Sequence, residues 1–306
     1  MGKGIGLGKV ILFGEHFAVY GVPVIISAIS LTTVATVKKI KREGVLINDG
    51  REGTPGYIEE KKQMQIESIE RMFKKLGLSS LDVEITLGGK LPAFSGIGAS
   101  AASSVAIARA ISSEFGLKLT DDEVNAAAFE AEQAYHGEKT VGVDNIAATY
   151  GGLIWFEKGE PPKIERIKLK RPVEIVIGNT GIVANTKEML EGVAQRRKKD
   201  PIKYNRIIED AKDVVYKGRE ALERFDLRTV GSLMDMNHTL LQGIGTSCKE
   251  IDFLTNLAKK HGAYGAKQTG SGGGGCIAVL TPGKELQNKI ADIIRNEGFE
   301  AIKTKI

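Results

Sequence analysis

The chain has 306 residues, 42% hydrophobic and 26% charged, with a net charge of +5 and a pI near 9.0. That length buries a core without cross-links, no run of eighteen apolar residues predicts a membrane span, and Cys248 and Cys276 have neither disulfide nor zinc spacing, so two buried thiols in a reducing cytoplasm are expected. The densest basic run, Arg196-Arg197-Lys198-Lys199, is short and lacks interleaved aromatics; it reads as a solvated helix end or loop and not as a nucleic-acid surface, while the mild positive field suits a small polyanion.

In chain order, Met1-Gly2-Lys3-Gly4 leads into a strand-like run and not the long apolar core of a secretion signal. Strands are expected at Lys9–Phe13, Val22–Ile29 and Leu31–Ile40, then a loop marked by Gly and Pro at 50–56. Apolar residues at helical spacing predict a helix over Ile58–Leu76, and alternation predicts a strand over Asp82–Leu87. Two helices follow, Ser100–Phe115 and one opening on the capping-box spacing Thr120-Asp121-Asp122-Glu123 and running to His136. A third starts near Asp144, and strands return at Leu153–Phe156 and Val173–Ile177. Three or four helices fill 186–260. The chain closes with strands at Ala263–Lys267 and Cys276–Leu280, a helix over Pro282–Asn296 and a strand at Phe299–Lys303. Strands first, helices in the middle and a mixed ending predict an α+β protein of two lobes, 1–170 and 171–306, divided near Lys168-Leu169-Lys170-Arg171-Pro172.

Three segments carry chemistry. Leu91 to Ala102 (LPAFSGIGASAA) places two glycines directly before an Ala/Ser-rich helix, whose unpaired N–H groups and positive end suit a phosphate. It is neither a Walker A loop nor a Rossmann fingerprint; taken alone, it reads equally well as a structural turn. Gly270-Ser271-Gly272-Gly273-Gly274-Gly275 has more glycine than a sharp turn needs, which points to close backbone approach to a bulky ligand over a flexible linker. In Gly8-Lys9-Val10-Ile11-Leu12-Phe13-Gly14-Glu15-His16, strand alternation puts Lys9 on one face with Ile11 and Phe13. A lysine there requires a carboxylate partner or a path to water. His16, after a Gly-Glu turn, is either a ligand contact or a lone surface histidine.

Together and in this order, residues 8–16, 92–102 and 267–275 resemble the three motifs of the GHMP kinase superfamily, and the resemblance spans nearly the whole chain. It implies a two-lobed fold, with an N-terminal lobe like domain 2 of ribosomal protein S5 and a ferredoxin-like C-terminal lobe. It also implies transfer of the γ-phosphate of ATP, with Mg²⁺, to an alcohol. Glu132-Gln133-Ala134-Tyr135-His136-Gly137, Gly142-Val143-Asp144-Asn145, Asn179-Thr180-Gly181, Asn185-Thr186-Lys187-Glu188 and Met236-Asn237-His238-Thr239-Leu240-Leu241 with Gly245-Thr246-Ser247 are similar to its archaeal-type, mevalonate-phosphorylating branch. Departures are Phe94 for glycine, Ile97 for leucine, Ala99 for serine, Gly6-Leu7 for Ala-Pro, and one inserted residue between Gly137 and Gly142.

By that resemblance, Pro92, Ser95, Gly96, Ile97, Gly98, Ala99, Ser100, Ala101, Gly270, Gly272 and Gly273 hold ATP, and Ser100 and Glu132 bind Mg²⁺. Asp144 takes or orients the hydroxyl proton, Lys9 pairs with Asp144, and His16 and Thr186 contact the acceptor, mevalonate, on the route to isoprenoids. Read from local sequence alone, Ser100 and Asp144 are equally good helix caps and Glu132 a solvated helix residue. A homodimer is the family's common assembly, and no stretch of the sequence specifies it. The remaining readings are a kinase acting on phosphomevalonate, homoserine, shikimate or a sugar, a decarboxylase of the same superfamily, a non-catalytic nucleotide sensor and a nucleic-acid-binding module.

Overall fold

The computed structural model describes residues 1–78, 82–137 and 140–306. Chain contacts divide it into two compact units, each built from several segments. The first comprises Met1–Lys9, Ala28–Phe94 and Gly98–Gly151; the second comprises Val10–Ser27, Ser95–Ile97 and Gly152–Ile306. The units therefore follow a different division from a single cut at residue 170, because the first two strands thread through both.

In the first unit, β1 (Gly2–Phe13) pairs with β2 (Val24–Lys39). The two expected strands at 22–29 and 31–40 are one continuous strand. β3 (Val45–Asp49), which has too little alternation to stand out in the sequence, runs parallel to β4 (Val83–Gly89), itself antiparallel to β2. Helices α1 (Tyr57–Lys75), α2 (Ala99–Phe115), α3 (Asp121–His136) and α4 (Val143–Tyr150) pack around a core of Val83, Ile85, Met72, Phe73, Val105, Ala128 and their neighbours. The capping box at Thr120 forms as its spacing predicts, with Glu123 answering from the third helical position.

The position of α2 is set by glycine. Gly2, Gly4 and Gly6 alternate along β1, and a Cβ on each would run into the carbonyl oxygens of Ala110, Ala106 and Ala102 respectively. Two strand residues advance about 6.7 Å and four helical residues about 6 Å, so the glycine period matches the alanine stripe of a helix running in the opposite direction. The helix thus rests on bare backbone, with its N-terminus beside the end of this ladder. Gly6, where the family pattern has alanine, leaves no room for that methyl group.

In the second unit, the first residues of β2 pair with β5 (Leu153–Glu157), which pairs with β6 (Lys163–Ile167). A four-stranded antiparallel sheet has the order β10-β7-β9-β8, formed by β7 (Glu174–Asn179), then α5 (Thr186–Lys199), α6 (Pro201–Arg224), α7 (Leu227–Gly243) and α8 (Lys249–Lys260), then β8 (Gly265–Thr269), β9 (Cys276–Leu280), α9 (Lys284–Asn296) and β10 (Glu300–Lys305). The strand-helix-strand-strand-helix-strand succession is the ferredoxin-like arrangement. Its core gathers Val176, Leu254, Ile277, Val279 and Ile290. The basic run 196–199 is the last turn of α5, where cations face the negative helix end. Cys276 is buried, whereas Cys248 is half-buried and not fully enclosed as expected, and both are free thiols. No helix among the described residues is long and apolar enough to cross a membrane.

Candidate active site

In the first unit, β1 delivers Lys9 to the N-terminal ends of α2 and α4. The lysine is 1% exposed, and its Nζ lies 3.1 Å from Asp144 Oδ2, the carboxylate partner that a lysine on a buried strand requires. Asp144 sits in the first turn of α4, whose N-cap is Gly142, so it is not the helix cap that local sequence equally allowed. Its side chain keeps 28% exposure, leaving the pair open to solvent on the carboxylate side. Lys9 also shapes the glycine turn: Gly98 has φ of +73°, and a Cβ there would lie 2.6 Å from Lys9 Cγ. Only glycine meets both demands.

Gly98 is the N-cap of α2 and supplies no side-chain cap, so the first N–H groups of the helix are left for another acceptor. Ser100, in that first turn, donates from Oγ to Glu132 Oε2 at 3.0 Å, and Ser104 donates to Oε1 at 3.1 Å. Glu132 is 1% exposed, against the solvated helix position that its sequence neighbourhood also permitted. Ser104 is absent from the sequence-derived set, yet it was legible: four residues beyond Ser100 on a helix, it shares its face. Pro92, Ile97, Ala99 and Ala101 bury their side chains, so what they offer a phosphate is backbone. Phe94, 4% exposed, packs inward, and its backbone has negative φ, so this position does not demand the family's glycine. Two of the four residues between Gly137 and Gly142, the stretch with the extra residue, lie outside the described residues.

In the second unit, the two glycine segments meet backbone to backbone. A Cβ on Gly270 would lie 2.7 Å from Gly96 Cα, and one on Gly275 would lie 2.7 Å from Ser95 O. Gly272, Gly273 and Gly274 are likewise closed in by Thr246, Met189 and Ile182. The glycine excess, attributed above to ligand approach, is therefore accounted for by protein neighbours. Ser95 Oγ accepts the Ala184 N–H at 3.1 Å.

His16 and Thr186, 170 residues apart, converge on Ser271. His16 Nε2 donates to the Ser271 carbonyl at 2.6 Å, and the Thr186 hydroxyl donates to Ser271 Oγ at 3.2 Å. Far from being a surface residue, His16 is 8% exposed, and burial lowers its pKa to about 4, with Arg196 adding to the effect. It is therefore neutral at pH 7, and with its proton on Nε2 the buried, unpartnered Nδ1 is an acceptor. Ser271 was missed because a serine inside a glycine run has no periodicity to mark it.

One further charged group in this unit went unassigned by sequence reading. Lys267 Nζ pairs with Glu15 and also donates to the carbonyls of Ile11 (3.3 Å) and Gln268 (2.7 Å), while Asn237 donates to Glu15 at 3.3 Å. Both charged side chains are essentially sealed from solvent.

Comparison with known proteins now gives the class. Residues 64–152 match the family model "GHMP kinases N terminal domain" and residues 219–300 match "GHMP kinases C terminal". The chain belongs to the GHMP kinases. Within that family it is 32% identical to the mevalonate kinase of Pyrococcus furiosus, over 97% of this chain and 94% of that one, and 31% identical to the mevalonate kinase of Thermococcus gammatolerans over the same shares. A crystal structure of L. major mevalonate kinase in complex with R-mevalonate superposes with a TM-score of 0.91 at 35% identity, covering 100% of this chain and 96% of that one. The Methanococcus jannaschii mevalonate kinase follows at a TM-score of 0.80 and 25% identity, covering 99% and 98%.

Proposed function

We infer that the chain is an alcohol phosphotransferase that moves the γ-phosphate of ATP to the primary C5 hydroxyl of mevalonate, giving 5-phosphomevalonate. The observation that carries this reading is the end-to-end likeness to mevalonate kinases, in sequence and in fold, the fold match including one relative crystallised with R-mevalonate.

Phosphoryl transfer asks a protein chiefly for positioning and charge stabilisation. Asp144 accepts or orients the hydroxyl proton, and Lys9, with its Nζ 3.1 Å from Asp144 Oδ2, offsets developing negative charge. The backbone of Gly98 to Ala101, in the first unit, holds phosphate. Ser100 and Glu132 are the groups we assign to Mg²⁺, a hydroxyl and a carboxylate being suitable hard oxygen donors. Among the described residues no cluster of three or more His, Cys, Asp or Glu could cage a metal. Mg²⁺ sites of this kind commonly take one or two protein oxygens, with substrate and water supplying the rest. The ion would neutralise phosphate charge. His16, neutral and with a free acceptor nitrogen, suits a substrate hydroxyl better than the carboxylate, and Thr186 contributes a second hydroxyl. A homodimer and a cytoplasmic setting complete this reading.

A coupled ADP-release assay over mevalonate, phosphomevalonate, homoserine, shikimate and a sugar tests it. Turnover on mevalonate alone, without CO₂ release, is expected. Faster turnover on another acceptor would replace the assignment. Glu132→Gln is expected to raise the Mg²⁺ concentration for half-maximal rate, and an unchanged titration would remove Glu132 from the metal.

A further inference from the structure

The Gly/Pro-marked loop 50–56 has no role in the reading above, yet in the first unit it holds both flanks of the glycine segment. Ahead of that segment, Ala93 donates its N–H to Glu52 O at 2.7 Å, Thr54 donates to Ala93 O at 3.3 Å, and Gly53 forms a parallel bridge to Ala93. Behind it, Arg51 reaches the first turn of α2: its Nη1 donates to Ala99 O at 3.4 Å and to Thr33 Oγ1 at 3.1 Å. Arg51 is itself fixed by a two-pronged pair with Asp49, Nε to Oδ1 at 2.9 Å and Nη2 to Oδ2 at 2.6 Å. Both side chains are 4% exposed, so the guanidinium is a rigid strut and not a solvent-facing charge.

Ala99 immediately precedes Ser100, whose hydroxyl meets Glu132. We propose that Arg51 is a positioning residue for phosphoryl transfer: braced by Asp49, it sets the first turn of α2 so that Ser100 and the free helical N–H groups stand where the nucleotide phosphates and their metal require them. This rests on the assignment of Ser100 and Glu132 to that end of the nucleotide. Lysine cannot replace the strut, because one ammonium cannot span Asp49, Thr33 and Ala99 in a fixed plane.

The test is Arg51→Lys, with Thr33→Val as the milder variant that removes one strut contact and leaves the buried ion pair intact. Displacement of reacting groups by about 1 Å costs on the order of a hundredfold. Arg51→Lys is therefore expected to raise KM for MgATP, and the calorimetric dissociation constant for MgADP, by about tenfold or more. KM for mevalonate should stay within about twofold. Thr33→Val should shift the same two quantities in the same direction by less. A double-mutant cycle with Ser100→Ala should be non-additive, since Arg51 acts through that turn. Equal rises in both KM values, an unchanged MgADP affinity in folded Arg51→Lys, or an additive cycle would overturn the proposal. Should Ser100→Ala itself prove silent, the metal assignment falls, and Arg51 is judged on MgADP affinity and the KM split alone. If Arg51→Lys does not fold, Thr33→Val decides by the same two readouts.

Discussion

Each unit buries a lysine against a carboxylate, and the two pairs differ in their access to solvent. In the first, Lys9 is buried but Asp144 keeps 28% of its side chain exposed, and 3.1 Å separates them. In the second, Lys267 and Glu15 are both shut from solvent, and backbone carbonyls and Asn237 take up their remaining bonds. A sealed pair, with its desolvation cost offset only by complete hydrogen bonding, can specify a structure but cannot exchange a proton with a substrate. A pair open on its carboxylate side can do so. Both pairs join a lysine to a carboxylate; what differs between them is access to solvent.

Four experiments bear on that contrast. Asp144→Asn should lower turnover about a thousandfold while the fold and nucleotide affinity persist; near-normal turnover in a preparation free of contaminating kinase would undo the distinction at its reactive end. Glu15→Gln leaves the Lys267 charge buried without a counter-ion and should cost about 3–5 kcal/mol, read as a lower urea midpoint. Its turnover per folded molecule should stay near that of the parent. If instead stability holds and turnover collapses, the second pair is reactive too.

Gly4→Ala tests the ladder that puts Lys9 beside α2. A methyl group against the Ala106 carbonyl should cost about 1–3 kcal/mol, with loss of activity following loss of α2 placement. Wild-type thermal stability in that variant would mean that helix and strand part easily.

The smallest effect is on pH. Burial lowers His16 and His238 to about 4, Arg196 adding to the first shift and Lys267 to the second. In the unfolded chain each titrates near 6.5, so below that value the unfolded state binds more protons. Stability is then fully present above pH 6.5 and falls as pH drops toward 4, by at most about 1.4 kcal/mol per pH unit for each histidine. His238→Gln should flatten this slope in urea titrations at pH 5 relative to pH 7. An equal slope would mean that His238 does not titrate differently in the folded and unfolded chains.

Much of this was legible without coordinates. Helical period, the Thr120 capping box and β-branched runs located nearly every element, because those signals are local. The weak strands β3 and β6 were missed, since short, half-polar segments gain their pairing from neighbours and not from their own pattern. The alternation argument placed Lys9 on a buried face in need of a carboxylate, and the family resemblance gave Asp144 as its partner. The meeting of His16 and Thr186 at Ser271, and the brace from Arg51 to Ala99, left no trace in the sequence, because each joins positions far apart in the chain.

By itself, then, the sequence determined the succession of elements, and it named the glycines, Ser100, Asp144 and Lys9 as candidates for a site. These depend on local sterics, on hydrogen-bond periodicity and on residue chemistry. Tertiary structure alone decided which buried charge remains reachable by solvent, and that the second glycine run serves backbone packing. Solvent access and backbone approach are properties of residues brought together from distant segments, and no single segment encodes them.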